Sequence, residues 1–454
     1  MNSEEKRFLS AVGDYAQRHG LFSSTKGLYL VALSGGADSV TLLRVMLSMG
    51  LRVHAMHCNF HLRGAEPDRD ERFCKTLCAK LGVELHLIHF DTTTYASLHH
   101  VSIEMAARDL RYAYFGNLAR DLSADGICVA HHRDDCAETV LLNLIRGTGV
   151  HGLRGILPRN GNILRPLLCV GRSDIERYLT SLSQDFVTDS TNLVNDVTRN
   201  KIRLDIMPLL EKINPNIKAT IARSAEHMTE AAKIIDSSID DSIRAMKVDS
   251  DRYDVFSLDE LKRQPSPEYV LFSLLNGYGL TPLQINNVHD VVSKQTACSG
   301  KTWKSGTHEV LLDRGLLVVA ALPKESFKTM RIPETGTYII NADGQKLRVE
   351  KVTYNGALPL GDGHSFVCVD AGKAEFPLVL RLAATGDRFV PFGMNCSKLV
   401  SDFLTDRKRN LFDKRTQLVL TTHDNRVVWV VNERIDNRCR VTSQTTSLLR
   451  ITML

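Results

Sequence analysis

Two hydrophobic rhythms alternate over roughly the first 210 residues. Short apolar runs at Leu28–Leu33, Leu51–His57, Glu84–Phe90 and Ile127–His131 read as buried strands. Between them, apolar positions recur every three or four residues across Ser39–Met49, Asp68–Leu81, Ile103–Ala119 and Ala137–Arg146, the spacing of helices with one buried face. Strands alternating with helices predict an α/β fold, a doubly wound parallel sheet covered on both faces. Such sheets bind ligands beyond the C-terminal ends of their strands. Two connections, Cys58–Pro67 and the Gly- and Arg-rich Arg146–Arg165, are longer than simple links need.

The rhythm then changes twice. From Asn216 to about Leu275 the pattern is helical with a polar face, and short strands near Glu309–Ala320 close a mostly helical middle unit. Beyond Pro323 the composition shifts to Gly, Val and Thr, and runs such as "LRVEKV" and "VVWVV" mark a small α+β unit. We therefore expect three domains, 1–213, 214–325 and 326–454. A chain of 454 residues is too long for one ordinary core.

Composition narrows the class. With 43% hydrophobic and 24% charged residues the chain reads as globular. No apolar run approaches the ~18 residues that span a bilayer, so we expect a cytoplasmic protein with no membrane partner. A net charge of +5 permits a nucleic-acid partner without requiring one. Ten cysteines read as reduced thiols. His57, Cys58, His61, Cys74 and Cys78 raise a zinc site as an alternative. However, no Cys-x-x-Cys occurs, and Cys74 and Cys78 also fit a buried helical stripe.

The chemistry begins at "SGGADS", Ser34–Ser39, between the first strand and its helix. A helix start offers free N–H groups and a positive dipole end, so anions collect there. Gly35 and Gly36 lack the Cβ atoms that would hold a phosphate away, and Ser34 and Ser39 add hydroxyls. Asp38 is the odd member. A carboxylate beside polyphosphate repels unless a divalent cation lies between, which implies Mg²⁺. The bland alternative is a plain strand-to-helix turn.

"SGGADS" resembles the Ser-Gly-Gly-x-Asp-Ser loop of the PP-loop ATP pyrophosphatases, with Ala37 at the variable position. These enzymes split ATP into AMP and pyrophosphate. Four further stretches narrow the likeness: "HCNFHLRG" (57–64), "EMAARDLRY" (104–112), "AHHRDDCAET" (130–139) and "DSTNLVNDVTRNKIR" (189–203). With "RGTGVHGLRG" and "RPLL", their order resembles the tRNA(Ile)-lysidine synthetases. The likeness resumes near the end in "LRLAATGDRF", "SKLVSDFLTDRK" and "RIDNR".

That resemblance implies ATP and Mg²⁺ as cofactors, with free L-lysine and an isoleucine tRNA of CAU anticodon as partners. ATP would adenylate the wobble cytidine at carbon-2 and lysine would displace AMP, leaving lysidine, so that the tRNA reads AUA as isoleucine. It implies that Ser34, Gly35, Gly36, Ala37 and Ser39 cradle ATP and that Asp38 holds Mg²⁺. Arg111 and Arg108 would meet phosphate or the adenylated base, while Asp134 and Glu138 orient lysine. Substrate and tRNA contacts would come from His57, Asn59, His61, Arg63, His131, Asp135, Arg199, Asn200 and Arg203. Some relatives are dimers, and the sequence leaves the oligomeric state open. Where the family commonly has Gln, this chain has Cys136.

Each stretch also has an ordinary reading. Arg108 can pair with Glu104 one turn earlier. Asp134 can cap a helix, although Asp134, Asp135 and Glu138 together exceed what one cap needs and suit a bound cation. Lys398–Arg415 carries six basic residues against three acids, net +3, which fits either a solvated face or a tRNA surface. The resemblance assigns Lys398, Arg407 and Lys408 to the tRNA. A thiolase would need a catalytic cysteine or Cys-x-x-Cys, and an amidotransferase would need a glutaminase module; the sequence offers neither.

Overall fold

The computed structural model describes residues 3–24, 26–61, 66–188, 198–294, 299–323, 327–340, 344–356, 361 and 366–454. The chain divides into two compact units, Met1–Asp236 and Ser237–Leu454. No helix among the described residues is long and apolar enough to cross a membrane.

The first unit is built on a six-stranded sheet. It begins with helix α1 (Ser3–Arg18), followed by β1 (Leu28–Ala32), α2 (Ala37–Ser48), β2 (Arg52–Asn59), α3 (Glu66–Leu81) and β3 (Glu84–His89). Next come α4 (Thr92–His99), α5 (Ile103–Asp121), β4 (Gly126–Cys128), α6 (Arg133–Arg146) and α7 (Val150–Leu153). Two short strands, β5 (Arg159–Asn160) and β6 (Ile163–Leu164), precede α8 (Arg172–Ser181), α9 (Thr198–Lys201), α10 (Met207–Ile213) and α11 (Ile217–Met246). The division between the units falls within α11.

Strand order is β3-β2-β1-β4-β6-β5, parallel except for the terminal β5. Chain progression reverses at β1, with β2 on one side and β4 on the other, which opens a crevice beyond their C-terminal ends. β1 is buried from Leu28 to Val31, and Tyr29, Val31, Leu42, Leu43 and Met46 lie in the main core. The opposite face packs Leu30, Met56 and Ile127 under Phe115 and Ala119 of α5. The expected strand Ile127–His131 is shorter, because the chain leaves the sheet at Cys128 and turns into α6.

The second unit holds a five-stranded antiparallel sheet with helices Pro267–Gly277 and Pro282–Ser293 sharing its core. Two further antiparallel sheets, of five and four strands, share a core around Trp429. Phe412 packs on Val255, Leu311 and Val318, and Arg415 meets the buried Glu309 at 2.8 Å. Those contacts join the middle and C-terminal stretches into one body.

Candidate active site

The glycine loop lies at the mouth of the crevice. Gly35 has a φ of +91°, a left-handed geometry that glycine adopts without penalty, and its carbonyl accepts from Val187 N at 2.9 Å. Gly36 is the N-cap of α2 at φ −69°, so the helix start is capped by no side chain and its N–H groups face outward. Ser39 is buried and braces the turn: its hydroxyl donates to Gly36 O at 2.9 Å and accepts from Ser34 N at 3.1 Å. Ser34 Oγ lies 3.1 Å from Ser39 Oγ. The brace sets the loop's shape.

Behind this mouth is a cavity of about 590 Å³, a normal size for a small-ligand site. Met56, Cys58, Phe115 and Val129 form an apolar wall, and Ser34, Asp38 and Asp135 line the polar end. Arg108 and Arg111 of α5 line the remaining side. Each is steadied by an aromatic face, Arg108 over Tyr112 at 5.0 Å and Arg111 over Phe60 at 5.2 Å. Arg108 thus stacks on the following turn rather than pairing with Glu104.

Carboxylates crowd the polar end, and guanidinium groups balance them. Arg172 Nη1 donates to Asp38 at 2.7 Å, and His132 Nε2 lies 3.9 Å from Asp38. Burial raises the Asp38 carboxyl above its usual range, against the pull of His132 and Arg172. Burial opposes Asp135 as well, yet His132 and Arg199 outweigh it and hold that carboxyl below its usual range. Arg199 reaches Asp135 and Glu138, each at 3.0 Å, and Arg203 reaches Glu138 at 2.7 Å. Thr198–Ile206 is helical, with a π turn over Ile202–Ile206, so these two arginines project from one face.

This changes the expected division of labour among the acids. Glu138 is buried, with both carboxylate oxygens held by Arg199 and Arg203, and it does not line the cavity. Asp134 also stays off the wall. Its Oδ2 accepts from Arg172 N at 3.3 Å and lies 3.6 Å from Lys218 Nζ, so it ties the start of α6 to the start of α8. Arg199, Arg203 and Lys218 bring positive charge to this acidic trio.

Of the other expected residues, His57, Asn59 and His131 line the cavity. His57 is buried and its Nδ1 donates to Leu33 O at 2.8 Å. His131 lines the cavity, and its Nδ1 accepts from the buried Arg165 at 3.2 Å. Asn59 is buried and donates to Glu71 at 2.9 Å, while His61 is exposed and its ring meets His89 edge-on. Asn200 is half-buried beside Arg199. Arg63 and residues 189–197 lie outside the described residues. Cys74 and Cys78 are packed in the main core rather than turned toward a shared ion, and burial pushes the Cys78 thiol up to about 11.

Arg172, which meets Asp38, escaped sequence reasoning. Arg172 had a readable signal. Ile175, Tyr178 and Leu179 are spaced as a buried helical face, and Gly171 N bonds Asp174 three residues on, so a helix start at Arg172 was legible.

In the second unit most of the basic segment is already paired. Arg407 and Arg409 both hold the buried Glu433, at 2.7 and 2.6 Å. Lys398 pairs with Asp406, and Lys414 Nζ donates to Thr405. Arg407 is thus ion-paired, whereas Lys408 is exposed and makes no side-chain pair among the described residues.

Comparison with known proteins agrees with this geometry. A PP-loop domain model matches residues 5–210, and a TilS substrate binding domain model matches 249–322. A tRNA(Ile)-lysidine synthase of Parabacteroides distasonis is 43% identical over 97% of this chain and 98% of its own length. Proteins of the same name from Bacteroides thetaiotaomicron and Porphyromonas gingivalis are 42% and 36% identical, over 95% and 92% of this chain and 96% and 92% of their own lengths. The chain belongs to the tRNA(Ile)-lysidine synthase family. The Cys136 thiol accepts from Ile156 N at 3.4 Å, and burial raises it, so it holds a loop in its thiol form.

Two outcomes follow from the geometry. Gly35→Ala, strained at its left-handed φ with its new Cβ 3.4 Å from Cys74 and Phe73, should cost about 1–2 kcal/mol in urea unfolding. Gly36→Ala, in an ordinary conformation 3.5 Å from Ser34 Oγ, should stay within about 0.5 kcal/mol of wild type. The second outcome concerns pH. Burial, with Arg165 and Arg199 nearby, pushes His131 down to about 4. Its neutral form therefore stabilises the fold fully above its unfolded pKa of about 6.5, and that stability is lost as pH falls toward about 4. His131→Gln should flatten the decline of unfolding free energy across this window, and an unchanged slope would reject the assignment.

Proposed function

We propose that this chain makes lysidine on isoleucine tRNA, using ATP to adenylate the wobble cytidine at carbon-2 and free L-lysine to displace AMP. The single observation that carries the reading is the shared cavity. One end is an unblocked helix start behind Gly35 and Gly36, and the other is an apolar wall with two stacked arginines. The first suits a triphosphate and the second suits planar bases. Family membership supplies the identity of the acceptor.

Mg²⁺ fits the polar end, where Asp38 and Asp135 offer hard oxygen donors to one space. When bound, it would neutralise phosphate oxygens. The remaining work falls to the chain. Ser34, Ala37 and the α2 start hold phosphate through N–H and hydroxyl groups. Arg172 places a positive charge beside Asp38, where pyrophosphate develops its charge. Arg111 and Arg108 face the adenylated base and its new phosphate ester. His131, accepting from Arg165 at Nδ1, turns an Nε2–H donor to the cavity in its neutral form.

Asp135 is the carboxylate placed to receive the lysine ammonium, since it lines the cavity and stays ionised. Glu138 and Asp134 act through other groups, Glu138 by holding Arg199 and Arg203, and Asp134 by fixing α8 and hence Arg172. A thiolase reading fares worse. Cys58 lies on the wall, but burial pushes its thiol up to about 12, far from the thiolate that sulfur transfer uses.

Bases react only when unstacked, so the anticodon loop must open into the cavity, with phosphates held elsewhere on the chain. Lys408, exposed and without a side-chain pair among the described residues, is a cation of the C-terminal segment suited to that task. Lys408→Glu should weaken tRNA binding, reduce its salt slope by about one and leave the unfolding midpoint unchanged. An unchanged slope would remove Lys408 from the tRNA surface.

AMP formation measured with isoleucine tRNA, with and without free lysine, tests the reaction itself. Sustained turnover should require both. Asp38→Asn should lower it by at least about 10²-fold while tRNA affinity stays within about twofold. Lysine-independent turnover, or turnover that needs a sulfur donor, would overturn the proposal.

A further inference from the structure

A second set of donor groups lies on the six-stranded sheet, toward the opposite end of its strands from the cavity. His54 is near the start of β2, and its register partner Glu84 opens the terminal strand β3. His86 follows two residues later, so the alternation of a strand turns Glu84 and His86 to one face. The His54 and His86 rings stack with centroids 5.3 Å apart, and His54 Nδ1 lies 3.1 Å from His86 Nε2. The Glu84 carboxylate reaches both, 3.5 Å from His54 Nε2 and 3.6 Å from His86 Nε2. One donor atom from each residue lies within 4.8 Å of the other two, and no other described group of three or more His, Cys, Asp and Glu residues converges in this way.

Two imidazole nitrogens at 3.1 Å are satisfied by one shared hydrogen, or by a metal ion that accepts both lone pairs. The histidine side chains are only 14% and 20% exposed, so the sheet fixes their positions, while Glu84 is 61% exposed and leaves the cluster open to solvent. Two imidazoles and one carboxylate are the donors of Zn²⁺, Co²⁺ and Ni²⁺ rather than of Mg²⁺ or Ca²⁺. Three protein ligands with an open side leave room for water.

We propose that His54, Glu84 and His86 form a binding site for a divalent transition metal of the zinc class, separate from the nucleotide cavity. Bound there, the ion ties the terminal strand β3 to β2 and stabilises the ATP-binding unit.

Cobalt(II) is the probe, because its visible bands report coordination number and ligand type. Titration of the reduced full chain should show one equivalent bound with nitrogen- and oxygen-type bands, and the thermal midpoint should rise at saturation. Glu84→Gln and His86→Ala should each bind cobalt at least about tenfold more weakly and lose the thermal shift, with AMP formation without added metal beyond Mg²⁺ unchanged. Because Glu84 is exposed, its variant keeps the test valid if a histidine variant fails to fold. Equal cobalt affinity in wild type and Glu84→Gln, or bands dominated by sulfur-to-cobalt charge transfer, would overturn the proposal.

Discussion

Carboxylates beside a low-dielectric cavity are costly unless cations meet them, and this constraint organises the ATP-side of the protein. Asp38, Asp135 and Glu138 come from two elements, α2 and α6, that the sheet brings together. Their partners come from much later in the chain, Arg172 from α8 and Arg199 and Arg203 from the helical turn before α10. Remove the guanidinium groups and the cluster holds three negative charges with little water to screen them. The segments carrying those arginines are thus bound to the site by charge as well as by packing. That accounts for how a loop far along the chain contributes to a nucleotide cavity built mainly from its first 140 residues.

The same constraint shows why some of the site was legible in the sequence and some was not. Ser34–Ser39 could be read because its neighbours are local: a buried run before it, a helical spacing after it, and two glycines between. The crevice followed from the alternation of strands and helices. Arg172 could not be placed, since its partner Asp38 lies 134 residues earlier and nothing in either neighbourhood names the other. Ser39 adds a hydroxyl by its sequence, and position three of the helix turns that hydroxyl back onto Gly36. Local pattern predicts an element and seldom predicts which way one side chain faces.

The basic C-terminal segment makes the point in reverse. Six cations against three acids invite a nucleic-acid surface, but net charge counts groups and ignores pairing. Glu433 and Glu309 lie elsewhere in the sequence and are buried, and between them they take Arg407, Arg409 and Arg415. The stretches near the end that resemble the family contain similar internal pairs, Arg381 with Asp387 and Arg438 with the fully buried Asp436. Much of that likeness therefore reflects how the C-terminal body holds its shape, and its unpaired basic surface is smaller than the charge count implies.

The doublet Asp134–Asp135 carries this reasoning to single-residue scale. Adjacent residues on a helix point about 100° apart, so two neighbouring acids cannot both face one cavity. Asp135 takes the cavity side and also bonds the His132 backbone N–H at 3.0 Å, while Asp134 turns toward α8 and receives the Arg172 N–H. Asp135 is thus open to the cavity, and Asp134 fixes the backbone of the arginine that balances Asp38. Neither duty can pass to its neighbour without rotating the helix. A pair that looks redundant as letters thus divides the cavity wall from its support, and both parts converge on the polar end of one cavity.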